Sequence, residues 1–143
     1  MKNAKNKLKK ITVYTDPNCD HCENLKKELK DNNIDFTEKP IDKHQGEWYK
    51  VSDLLHMSAL PTMEVGGQYL VSGRDFQNAE QAVDVIDYRT GKEYKNWPND
   101  VKLSERLKTL NYNLRLQLGA MYEKINNIEL KLKKEENEHE KSS

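Results

Sequence analysis

Asn18-Cys19-Asp20-His21-Cys22 lies between a β-rich run, Ile11-Thr12-Val13-Tyr14, and an amphipathic run opening near Glu23. These are the only two cysteines in 143 residues. Two residues between thiols, at the start of a helix that follows a strand, let the sulfurs close a small disulfide ring with little backbone motion. In a protein that is not secreted, that pattern reads as a redox motif.

Outward from the cysteines, Lys10 to Thr15 reads as a strand and Asp16-Pro17-Asn18 as the turn that lifts Cys19 to its end. A helix follows from about Asp20 to Asp31, with Leu25 and Leu29 on the face of Cys22 and a stop at Asn32-Asn33. Ile34 to Glu38 alternates apolar and polar like a half-buried strand. From Gln45 to Met57, Trp48, Val51 and Leu55 fall at helical spacing. Leu60-Pro61-Thr62 then precedes Met63-Glu64-Val65, Gly66-Gly67 and Gln68-Tyr69-Leu70-Val71, a β-hairpin with a Gly-Gly turn. Ser72-Gly73-Arg74-Asp75 leads into a third helix carrying Phe76, Ala79, Val83 and Ile86, with a stop at Gly91. The order βαβαββα over residues 9–89 is that of a short thioredoxin fold, an α/β domain with a four-stranded mixed sheet.

Cys19 is expected at the amino end of the first helix, where unpaired amides and the helix dipole favour a thiolate, and so to be the attacking sulfur. Cys22, one turn deeper, resolves the mixed disulfide. Protonated His21 favours the thiolate whereas the carboxylates of Asp20 and Asp16 oppose it, so these three tune the pair with no net sign fixed by sequence. Pro61, ending the loop before a strand, is a candidate cis-proline that leaves the Leu60 backbone free to pair with an extended substrate. Metal is the competing use of cysteine. Only His21, His44, His56 and His139 remain as further soft ligands and they lack ligand spacing, so neither a zinc nor a cluster shared across a dimer is expected.

Residues 90–99, with Gly91, Trp97 and Pro98, show no periodicity and read as a linker. From residue 100 to 137, Leu103, Leu107, Leu110, Leu114, Leu118, Met121, Ile125, Ile128 and Leu132 recur at spacings of 4, 3, 4, 4, 3, 4, 3 and 4. That is a heptad seam with one stutter between Leu114 and Leu118, on a long helix expected to form a coiled coil. Self-association is the first expectation, with docking on another protein's helices or folding back on the domain as alternatives. Residues 138–143 read as a frayed tail.

Twenty-four basic and 24 acidic residues cancel, which gives no reason to invoke nucleic acid or a membrane as partner. Five of the first ten residues are lysines, but no apolar stretch of roughly 7–15 residues follows as in a signal peptide. Residues 1–8 therefore read as a basic flexible start, and the protein is expected in the cytoplasm. Only four of the basic residues are arginines, Arg74, Arg89, Arg106 and Arg115, which suggests an AT-rich genome such as that of a low-GC bacterium or its phage.

Ile11-Thr12-Val13-Tyr14-Thr15-x-Pro17-x-Cys19-x-x-Cys22, with Leu60-Pro61-Thr62-x-x-Val65-x-Gly67 and Ser72-Gly73, resembles the glutaredoxins and most closely the NrdH-type redoxins. The resemblance implies Cys19 as nucleophile, Cys22 as resolver and Pro61 as cis-proline. It places substrate contacts at Leu60, Pro61, Thr62, Ser72, Gly73, Arg74 and Asp75. It also implies a client protein bearing a disulfide, of which class Ib ribonucleotide reductase is the family's example, and re-reduction by thioredoxin reductase or the glutathione system. Asp16 stands where the family usually has a lysine that holds a glutathione carboxylate, and Ala59-Leu60 replaces the usual Thr-Val, so bound glutathione is not favoured. Val71 replaces the aromatic residue usual before Ser-Gly, which weighs against docking to thioredoxin reductase. Regulators of the Spx and arsenate-reductase type share the fold, but the compact hairpin after Pro61 fits glutaredoxins better. The leading expectation is a thiol-disulfide oxidoreductase with no bound cofactor beyond its own disulfide. The alternative is an adaptor or redox switch that binds a partner through its coiled coil.

Overall fold

The computed structural model describes residues 10–89 and 98–141, so the stop expected at Gly91 and most of the linker lie outside the described residues. The elements are β1 (Ile11–Thr15), α1 (Asp20–Asp31), β2 (Thr37–Pro40), α2 (Gln45–Leu55), β3 (Thr62–Val65), β4 (Gln68–Val71), α3 (Ala79–Arg89) and α4 (Pro98–Lys141). The sheet order is β2-β1-β3-β4, with β1 parallel to β2 and antiparallel to β3, and β3 antiparallel to β4. This is the expected short thioredoxin arrangement with a long C-terminal helix.

Side-chain alternation sorts the sheet into two buried faces. Ile11, Val13, Met63, Val65 and Leu70 pack with Leu25 and Leu29 of α1 and with Ala82 and Ile86 of α3. Tyr14 and Val71 point the other way and pack with Val51 and Leu55 of α2. Leu25 and Leu29, both fully buried, each contribute about 2 kcal/mol by leaving water. The 66–67 turn needs positive φ at both central residues, and Gly66 (56°) and Gly67 (82°) supply it.

α4 runs from Pro98 to Lys141, through the end of the linker read over residues 90–99 and into the tail read as frayed over residues 138–143. Three further boundaries also differ from the sequence reading. β2 begins at Thr37 rather than Ile34, because Asn33 turns left-handed (φ 55°) and the Ile34 N–H closes on the Leu29 carbonyl at 2.9 Å. Ile34 and Phe36 still pack against the core, from the approach to the strand. α2 stops at Leu55, where His56 takes φ 52° as a left-handed cap. Phe76 is buried ahead of α3, and the Asn78 side chain caps that helix by accepting from the Gln81 N–H at 2.9 Å.

The chain divides into two compact units, Met1–Thr109 and Leu110–Ser143, so the first turns of α4 belong with the sheet domain. Glu105 is 1% exposed. It accepts from the Tyr69 N–H at 3.2 Å on edge strand β4 and from Arg74 Nη2 at 2.6 Å. Thr109 donates to the Leu55 carbonyl at the end of α2 (2.7 Å), and Arg106 donates to the Leu54 and Asp53 carbonyls at 3.2 Å. Helix-end carbonyls and sheet-edge amides lack partners in their own elements. α4 supplies partners to both.

Candidate active site

Cys19 is the N-cap of α1, in extended conformation (φ −111°, ψ 106°), and its Sγ accepts from the Cys22 N–H at 3.2 Å. The two cysteines are paired as a disulfide, with Cα atoms 5.2 Å apart. Cys22 is fully buried beside Leu25 on the inner face of the helix, and Cys19 is partly exposed. Burial thus makes the two sulfurs inequivalent: a partner can reach Cys19 and cannot reach Cys22. In the reduced form the same N–H and the helix start stabilise a thiolate on Cys19.

Asp16 shapes the turn before the cysteines. Its carboxylate accepts from the Asn18 N–H at 3.0 Å and its carbonyl from the Cys19 N–H at 3.2 Å. Asp20 and His21 are exposed on the first turn of α1. His21, Pro61 and Ser72 meet along one groove of about 560 Å³, together with Asn24, Lys27 and Gln77. Asp16 borders a separate hollow with Pro17, Asn18 and Trp48.

The Leu60–Pro61 peptide is cis, the isomer for which Pro61 was a candidate. The Pro61 carbonyl accepts from the Ser72 N–H at 3.1 Å, which ties the proline to the segment after β4. Thr62 is fully buried and donates to the Ala59 carbonyl at 2.7 Å, so its hydroxyl holds the loop. Among the described residues no hydrogen bond is made by the Leu60 backbone. Gly73 sits at φ 87° and bonds the Phe76 carbonyl at 2.8 Å.

Arg74 and Asp75 do not line the groove. The Arg74 side chain is 1% exposed and its guanidinium is fully engaged: Nε with Asp75 at 2.8 Å, Nη1 with the Glu105 carbonyl and Thr109 at 3.2 Å, and Nη2 with the Tyr69 carbonyl at 3.1 Å and Glu105. Asp75 also accepts from the Val71 N–H at 2.8 Å. Glu105 and Thr109 were not legible as partners of this cluster, because a Glu between Leu103 and Leu107 reads as a solvated charge on a periodic helix. The described residues hold no group of three or more His, Cys, Asp or Glu placed to hold a metal ion, and no helix among them is long and apolar enough to cross a membrane.

Residues 11–70 match the family model described as Glutaredoxin. Over those residues the chain is similar to the glutaredoxins. A solved structure similar to it is the glutaredoxin Grx-1 of Archaeoglobus fulgidus, at 21% identity over 59% of this chain and 94% of that one, with a TM-score of 0.46. Among curated proteins no match is found. The match begins at β1 and ends within β4, so it takes in both cysteines and Pro61 and stops short of the Arg74 cluster. The match to the glutaredoxin model and the Cys19–Cys22 disulfide together support thiol–disulfide redox chemistry in general terms.

Proposed function

We propose that the chain is a dithiol electron carrier that reduces disulfide bonds of a client protein. The observation that carries this reading is the unequal burial of the two sulfurs, with Cys19 open at the helix start and Cys22 enclosed. The Cys19 thiolate attacks one sulfur of the client disulfide, forming a mixed disulfide and releasing the other client sulfur as a thiolate that takes up a proton. Cys22 then loses its proton and attacks Cys19 Sγ. The Cys19–Cys22 disulfide forms, and the second client thiol leaves. Two electrons and two protons have passed to the client, and an external dithiol or glutathione pair returns them to the carrier.

The open Leu60 backbone supports docking of the client as an extended segment, paired along it beside Pro61. Ribonucleotide reductase is the client that the NrdH-like motifs favour, and the reducing cytoplasm is the compartment in which such a carrier turns over. A second reading, an adaptor that works through α4, is favoured by the nine seam residues from Leu103 to Leu132, which are all 48–60% exposed. NADPH consumption with a model disulfide separates the two, with either thioredoxin reductase or glutathione and its reductase as coupling system. The carrier reading expects turnover that Cys19→Ser abolishes. No turnover in either system, from a protein whose disulfide dithiothreitol still reduces, refutes it.

A further inference from the structure

The face of α4 that docks on the sheet domain is polar, built from Glu105, Arg106 and Thr109. At about 100° per residue, Leu103, Leu107 and Leu110 lie on the opposite face, and they stay 54–60% exposed. The fold-back that could have covered the stripe is therefore made with other residues. From Leu118 the seam runs in regular heptads, with Leu118, Ile125 and Leu132 at a and Met121 and Ile128 at d. The flanking positions carry a sign pattern: Lys124 and Lys131 at g, Glu129 and Glu136 at e.

We propose that the seam is a self-association surface whose occupant is a second copy of this chain, held parallel and in register. In a parallel pair each g residue faces the e residue five positions on in the other helix. Lys124 then meets Glu129 of the second copy and Lys131 meets its Glu136, and both pairs recur by symmetry. In an antiparallel pair g faces g and e faces e, which sets lysine against lysine and glutamate against glutamate. Charge complementarity therefore selects both the partner and its direction. Upstream of the stutter, Ser104 and Asn111 at e and Asn113 at g carry no sign, and Arg106 at g is engaged by the Leu54 and Asp53 carbonyls, so the orientation is written after Leu118. Both chains enter the pair from the same end, and each brings its own Cys19–Cys22.

Sedimentation of the full-length protein tests this with two charge-reversed forms, Lys124→Glu/Lys131→Glu and Glu129→Lys/Glu136→Lys. Wild type is expected to associate, and each variant alone to bind itself at least ~10-fold more weakly, as reversed exposed pairs accumulate over the seam. Mixing the variants is expected to restore wild-type association as a hetero-complex. Disulfide turnover and helix content, unchanged in both variants, establish that they fold. A wild type that stays monomeric at millimolar concentration overturns the second copy as occupant. Variants that associate as tightly alone as wild type overturn the parallel direction.

Discussion

Cys22 has no solvent exposure, and its N–H is hydrogen-bonded to Cys19 Sγ, so its one reachable target is Cys19 itself. Cys22→Ser is therefore expected to form the mixed disulfide with client at the wild-type rate and to accumulate it, as a mass increase on intact-protein spectrometry under non-reducing conditions. Tyr14 and Tyr69 have phenol pKa values raised above the ordinary value by burial first and by the Glu64 carboxylate second. The folded chain holds those protons more tightly than the unfolded one, whose tyrosines titrate near ~10. The resulting stability is fully present below that pH and is lost as pH rises toward the folded values. Tyrosinate absorbance should show the last phenols ionising together with unfolding, and Tyr14→Phe with Tyr69→Phe should remove that late fraction. Both tyrosines are ordinary strand residues in the sequence. Only the alternation that sends Tyr14 and Tyr69 to the α2 face makes them late-titrating groups.

The elements were legible in the sequence wherever a residue's conformational preference agreed with its burial. The Gly-Gly hairpin and the helix opening at Cys19 are such cases, since each is decided by a few adjacent residues. β2 was displaced because apolar alternation at Ile34 and Phe36 reports contact with the core, and these residues are half-buried without pairing; the ladder starts at Thr37 opposite Thr12. The role of the first turns of α4 was not legible at all. It depends on a long-range match between the open amide of Tyr69, the end carbonyls of α2 and residues more than thirty positions later. That match has a measurable cost when broken. Glu105→Ala leaves the buried Arg74 guanidinium with Asp75 as its only carboxylate, and about 3 kcal/mol of stability is expected to go in urea unfolding. Thr109→Val strips the donor from the Leu55 carbonyl and should cost about 1–2 kcal/mol. Neither variant touches the cysteines, so turnover per folded molecule should stay at the wild-type value.

At the scale of the whole molecule, the helix reads as one amphipathic segment in sequence, yet the chain divides into its compact units within it, after Thr109. The sequence boundary at residues 90–99 followed the loss of periodicity, and periodicity cannot show which turns of a helix are buried by their polar face. Two truncations separate these descriptions. A chain ending at Thr109 keeps Glu105, Arg106 and Thr109 against β4 and α2, and loses Leu110 to Leu132. It should fold, turn over disulfides at the full rate, and sediment as a monomer. A chain ending at Arg89 keeps both cysteines and every strand but leaves Arg74 without Glu105 and the Tyr69 N–H without an acceptor. Burying that guanidinium with half its partners costs several kcal/mol, a large share of the ~5–15 kcal/mol that holds a domain folded. The shorter chain should unfold at markedly lower urea, and turnover should fall with the folded fraction. Equal stability of the two truncations would show that the domain closes its own edge and that α4 is an appendage from its first turn.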